Sequence, residues 1–151
     1  MSEAERIIAS LYLPMRKQQL LLPNVSVAEV VGYQKPIKPD ESPDYFLGYV
    51  KWRGVDIPVI SFEVANGQTA IRKAKNARIA VINTIGKHHA IFPFFAIVTQ
   101  GIPRLIKINN ELIKTVDAGK GKAETAVVRV DGEDAVIPDI EYLESLAYQQ
   151  L

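Results

Sequence analysis

Few residues in this 151-residue chain are of types that make or break bonds, and their spacing argues against such work. The histidines, His88 and His89, are adjacent. On an extended strand neighbours point to opposite faces, so the pair cannot ligate one metal ion without distortion. No cysteine is present, and no His-x-His or Glu-x-x-His spacing, which removes thiol chemistry, disulfides and the common metal motifs. Ser10, Ser26, Ser42, Ser61 and Ser145 stand in no nucleophile-elbow context. Asp56, Glu63, Asp117 and Asp139 are scattered, and nothing pairs them in sequence. Gly119-Lys120-Gly121-Lys122 has the composition of a phosphate loop without its spacing, its hydroxyl or a long helix behind it, and reads as a flexible loop. No catalytic residue, cofactor site or metal site is expected. What remains is charge: Arg72, Lys73, Lys75 and Arg78 crowd into one short stretch. That cluster fits an anionic partner such as RNA or an acidic lipid, but no aromatic is interleaved to stack bases. A solvated connector is the preferred reading, with a small nucleic-acid-binding β-barrel as the alternative.

The bulk properties agree. A hydrophobic content of 48% supports a core, and a formal charge of +1 provides no global field to attract nucleic acid. The start, MSEAERIIASLYL, lacks the basic and apolar regions of a secretion signal. The longest apolar run, Ala90 to Val98, contains Pro93 and falls far short of the roughly twenty residues of a spanning helix. A soluble, cytoplasmic protein without membrane insertion is expected.

The elements are organised around Tyr45 to Glu63, YFLGYVKWRGVDIPVISFE. With Arg53-Gly54 as a two-residue loop, Trp52 faces Val55, Val50 faces Ile57 and Gly48 faces Val59. Lys51 and Asp56 then pair on the opposite face with complementary charge. Pro58, opposite Tyr49, predicts an edge or a bulge. A second tight hairpin runs from Ala126 to Ile137 around Asp131-Gly132, with Arg129 opposite Asp134. Val50-Lys51-x-x-Gly54-x-Asp56 thus recurs as Val128-Arg129-x-x-Gly132-x-Asp134. Upstream, a strand–turn–strand ending at Pro23 recurs as one ending at Pro93, with His88 to Phe95 as its second strand. Between them Ser26 and Glu29 have capping-box spacing, which would place Val27, Val30 and Val31 on one face of a helical turn ended by Gly32. Gln34 to Asp44, with three prolines, reads as an extended connector, and Asp139 to Gln150 as a short helix. Two small antiparallel barrels or sandwiches in tandem follow. A unit of about sixty to seventy residues is marginal alone, so two sharing an interface make physical sense.

Leu47-Gly48…Trp52-Arg53-Gly54…Ile57-Pro58-Val59-Ile60, the Val27-x-x-Val30-Val31 turn and the closing Ile137-x-Asp139-Ile140-x-x-Leu143 resemble the CheW family of chemotaxis adaptors. The resemblance runs from about Ser10 to Leu146. It implies a mainly β fold of two five-stranded SH3-like or OB-like barrel subdomains with short helices, one about 15–75 and one about 76–140, with terminal segments packing across, within a single domain spanning 1–151. It implies no catalysis. It also implies coupling of the cytoplasmic tip of a methyl-accepting chemoreceptor to the regulatory domain of a CheA-type histidine kinase, in receptor arrays at the membrane. The chain departs from the family at Trp52, at Ser61-Phe62 and at Phe95. LPN-V-x-VAE-V-V with WRG-V is most similar to the ChpC-type adaptors of type IV pilus chemosensory systems, which control twitching motility. By position, Val27, Val30 and Val31 are candidates for a first-lobe contact, and Ile97, Val98 and Ile102 for a second-lobe contact. Arg53 is placed to bond carbonyls at a groove or to reach a receptor carboxylate, or else is a solvated loop tip.

Overall fold

The computed structural model describes residues 7–70 and 72–151. The acidic start, residues 1–6, and Ile71 beside the basic stretch lie outside the described residues. In chain order the strands are β1 (Ile7–Pro14), β2 (Gln19–Pro23), β3 (Val27–Gly32), β4 (Phe46–Trp52), β5 (Val55–Ile60), β6 (Arg78–Asn83), β7 (Phe94–Thr99), β8 (Arg104–Asn109), β9 (Ile113–Thr115), β10 (Glu124–Val130) and β11 (Glu133–Pro138). Helix α1 (Phe62–Ala65) follows β5, and helix α2 (Ile140–Tyr148) follows β11. Both begin on a side-chain cap: Ser61 accepts from the Val64 N–H, and Asp139 from the Tyr142 N–H.

Two sheets result, ordered β8-β1-β2-β11-β10-β9 and β3-β6-β7-β5-β4. The pairings among the described residues close neither into a barrel. The sheets match strand for strand: β8, β1, β2, β11 and β10 take the places of β3, β6, β7, β5 and β4. Each has one parallel contact, β11 with β2 and β5 with β7, and antiparallel neighbours elsewhere. The repeat seen in the sequence thus has a counterpart in the strand order, and the sheets exchange strands across the expected boundary near residue 75. β6 and β7 lie inside the sheet of β3–β5, and β1 and β2 inside the sheet of β8–β11. Each repeat inserts its first hairpin as the middle pair of the other repeat's sheet.

That placement explains the composition of the middle strands, which are buried on both faces and so read as unbroken apolar runs. Ile79, Val81, Ala96 and Val98 point into a core under the five-stranded sheet, with Val50, Trp52, Ile57 and Val59. Ala80, Ile82, Phe95 and Ile97 point the other way, into a core shared between the sheets. Leu20 and Leu22 meet them there from β2, while Leu21 joins Tyr12, Ile108 and Val130 under the six-stranded sheet. α2 closes the shared core with Leu143, Leu146 and Ala147. Its Glu144 carboxylate accepts from the backbone N–H groups of Ile85 and Gly86 at 2.7 and 2.9 Å, fastening the helix to the turn after β6.

Both hairpins have the expected registers: Trp52↔Val55, Lys51↔Asp56, Val50↔Ile57 and Gly48↔Val59, and then Val130↔Glu133 and Arg129↔Asp134. Pro58 sits where β5 has not yet met β7, whose pairing begins at Val59, and β4 carries a bulge between Phe46 and Gly48. Gly48 is at φ 121°, and the Ile37 carbonyl crosses so close that a Cβ there would collide with it.

Three local expectations fail for identifiable reasons. Residues 27–31 are strand, not helix. A bulge between Val27 and Glu29 inserts one residue, so Val27 and Val30 reach the same face at a spacing of three that mimics a helical turn. Ser26 ends a 3-10 turn, Asn24–Ser26, and caps nothing. His88 to Phe92 is a series of turns, not strand, tied back by the Phe92 N–H to the His88 carbonyl and the Thr84 hydroxyl to the Phe92 carbonyl. Pro93 therefore precedes a strand instead of ending one. β9, within the polar stretch 109–122, carried no apolar signal.

Two outcomes follow. Gly48→Ala forces a side chain into a left-handed backbone against the Ile37 carbonyl, and should cost at least about 2 kcal/mol in chemical denaturation. Glu63 on α1 is buried and accepts the Arg16 N–H at 3.3 Å, from the turn joining β1 and β2, and burial outweighs its hydrogen bonds and raises its carboxyl pKa. The native state holds this proton more tightly than the unfolded chain. The group's contribution is therefore full below the ordinary carboxylate pKa and declines as pH rises through the raised one. Glu63→Gln should remove that decline, so urea midpoints of variant and parent should diverge with rising pH in the variant's favour.

Candidate partner-binding site

β3 is an outer strand, bonded on one side to β6. Its Val27, Val30 and Val31 are all half-buried, but they do not form one stripe. Val27 and Val30 lean on the shared core, whereas Val31 joins Tyr33 against the core under the five-stranded sheet. What the edge exposes is Ala28 and, just before the strand, Val25, which is 83% accessible.

Glu29 shares the face of Val31 because the two are separated by one residue beyond the bulge. Its Oε1 accepts from the Trp52 indole N–H at 2.8 Å and lies 3.4 Å from the Arg53 guanidinium. That guanidinium sits 4.8 Å above the Trp52 ring, and Phe94 meets the same indole edge-on. Among the described residues the Arg53 guanidinium bonds no backbone carbonyl, and its side chain stays 69% exposed. One carboxylate and one aromatic face hold it, while most of its donors remain free for a second acceptor. Holding it there has a cost: Arg53 lies at φ 50° in a loop whose first position favours asparagine or aspartate. Asp131, at the equivalent place in the other hairpin, has φ 48° and a residue type suited to it.

Beyond Trp52 the surface is apolar. A groove of about 310 Å³ is lined by Trp52, Val55, Ile57, Ile91, Phe94 and Leu151. Val55, Ile91 and Leu151 are more than half exposed, so Val55 does not pack with the other apolar residues of its hairpin. The chain end is held nearby, since the Tyr49 hydroxyl donates to the Gln150 carbonyl at 2.6 Å and the Gln150 amide donates to the Tyr45 hydroxyl. An exposed apolar groove beside a tethered arginine is suited to binding another protein. The sequence pattern offered Glu29 as a capping residue and Val55 as a hairpin partner of Trp52, and it gave no sign that they and Ile91 share this surface. Glu29 lies 24 residues from Arg53, and Ile91 belongs to a run that reads as strand.

The second-lobe candidates separate. Ile97 and Val98 are 0% and 5% exposed on a middle strand, one in each core, so neither can touch a partner. Both also belong to the five-stranded sheet. Ile102, 62% exposed in the turn before β8, is the one surface residue of the three.

Other chemistry-bearing residues take structural or solvated places. His88 stacks on Tyr148 at 3.7 Å, and His89 Nδ1 bonds Thr84. Among the described residues no cluster of three metal-ligating side chains exists. Lys120 reaches the Thr125 carbonyl. The basic stretch is strapped across the junction: Arg16 donates to the Arg72 carbonyl, Gln100 accepts from the Ala74 N–H, and Lys73 covers the Tyr33 ring at 4.8 Å. Among the described residues no helix is long and apolar enough to cross a membrane.

The scaffolding protein TtCheW from Thermoanaerobacter tengcongensis, a crystal structure, is similar in fold. It aligns at a TM-score of 0.77 and 20% sequence identity, over 91% of this chain and 92% of that one. No curated protein is similar enough in sequence to be matched. The model of the CheW-like domain matches residues 10–147, nearly the whole length. The chain belongs to the CheW-like domain family.

Proposed function

We propose that this chain is a non-enzymatic adaptor of bacterial chemosensory signalling, coupling a methyl-accepting chemoreceptor to a CheA-type histidine kinase. The observation that carries this, beyond family membership, is the exposed end of the five-stranded sheet. There an apolar groove adjoins Arg53, whose backbone lies at positive φ and whose guanidinium rests on Glu29 and Trp52. The kinase's regulatory domain is taken to dock against this end, through the β3 edge with Val27, Val30 and Val31. Arg53 is taken to meet a carboxylate at the receptor tip, and Ile102 contributes from the other lobe. The finer assignment is to a ChpC-type adaptor in a type IV pilus pathway. It is supported by the Leu22–Val31 run and by Trp52-Arg53-Gly54-Val55.

Pull-down with a cognate kinase regulatory domain and a receptor cytoplasmic fragment tests the reading, and failure to capture either at micromolar concentration would overturn it. Ile91→Glu, at an exposed position, should weaken kinase binding with the melting temperature unchanged. Arg53→Asn should separate two properties. Asparagine suits the loop, so the protein should gain up to about 1 kcal/mol in stability while its receptor affinity falls. Single-stranded oligonucleotide should not bind even at low salt, because the cluster at 72–78 offers no uncovered ring for stacking.

A further inference from the structure

The two sheets differ at one edge. Beside β10, strand β9 adds a ladder: Thr115↔Val128, Lys114↔Arg129 and Ile113↔Val130, continued by the Val116 N–H to the Val127 carbonyl. β4 occupies the same place in the other sheet, with Tyr49 and Lys51 equivalent to Val127 and Arg129. Ile37 plays the part of Val116, exchanging two bonds of 2.9 Å with Tyr49. There the likeness stops. Gln34, Lys35 and Pro36, which would continue along β4 as β9 does along β10, form no strand. Pro36 has no N–H to give and steers the residue before it away from a regular continuation.

The consequence falls on Lys51. Trp52 and Val50 direct their backbone bonds to Val55 and Ile57, so Tyr49 and Lys51 direct theirs outward. Tyr49 is satisfied by Ile37, while Lys51 faces a groove of about 530 Å³ between β4 and the departing connector. Ile37 (79% exposed) and Tyr49 line it as apolar surface, with Lys35 and Lys38 beside them. Its charged lining is three lysines against Asp56, which already pairs with Lys51 at 3.4 Å. Among the described residues no carboxylate comes within 4.0 Å of Lys35 or Lys38.

We propose that this groove is a vacant strand position that takes an extended acidic peptide from a partner protein. The peptide adds antiparallel to β4 in the way β9 adds to β10. Its backbone bonds the outward N–H and C=O of Lys51, and its carboxylates meet Lys35 and Lys38. The site is on the opposite edge of the sheet from β3 and does not depend on the adaptor reading.

The test is NMR titration of the full isotope-labelled chain with two synthetic peptides, acetyl-Gly-Glu-Val-Glu-Val-Glu-Gly-amide and its lysine counterpart. The acidic peptide should give saturable shifts at the amides of Ile37, Tyr49 and Lys51, slow hydrogen exchange at Lys51, and weaken with added salt. Lys35→Glu with Lys38→Glu, which touches no ladder bond, should lower its affinity at least about fivefold. Lys51→Pro should abolish binding if the hairpin still folds, and the double charge variant decides if it does not. Absence of saturable shifts up to millimolar peptide, equal response to the lysine peptide, shifts centred elsewhere, or dimerisation of the chain through this edge would each overturn the proposal.

Discussion

The middle of each sheet is supplied by the repeat that does not own its flanks. β6 and β7 are gripped between β3 and β5, while β1 and β2 are gripped between β8 and β11. Because the inserted strands are covered on both faces, they carry the densest apolar sequence in the chain and supply both the core beneath each sheet and the core between sheets. Neither sheet can bury these residues before the distant repeat arrives. Burial of each large side chain is worth roughly 1.5–3 kcal/mol, so most of the favourable energy is tied to contacts that join the two repeats. α2 and its buried Glu144 then lock the arrangement from outside.

At the periphery such packing is absent. The end of the five-stranded sheet keeps Val55 and Ile91 in solvent and holds an arginine in a loop position that suits another residue type. The matching loop, Asp131-Gly132, has no such conflict, and its neighbours Arg129 and Asp134 form a simple exposed pair at 2.7 Å. The two hairpins thus differ in residue type at the first loop position, arginine in one and aspartate in the other. The rigid cores fix where Arg53 stands, and Glu29 and Trp52 fix where it points.

What the sequence disclosed follows period and turn chemistry. Two-residue loops around Gly54 and Gly132 set the registers, and their shared pattern revealed the repeat. The pattern was silent on which repeat pairs with which, because pairing across repeats leaves each strand's own alternation unchanged. The valines of β3 misled because a bulge turned a spacing of two into three. Ile97 and Val98 misled because a strand buried on both faces looks, in one dimension, like a strand with apolar surface to spare. The contact of Glu29 with Trp52 and Arg53 was not legible in one dimension, since its members come together only when β3 and β4 fold beside one core.

The insertion of each first hairpin into the opposite sheet also bears on how such a chain could arise. A polypeptide of half this length, carrying one repeat, would lack the centre of its own sheet and would hold a hairpin with nowhere to go. Two identical copies would cure each other's defect by reciprocal donation about a two-fold axis, giving an obligate homodimer. Joining such copies in one chain would make each insertion intramolecular and would leave the halves free to differ, as the loops at Arg53 and Asp131 do.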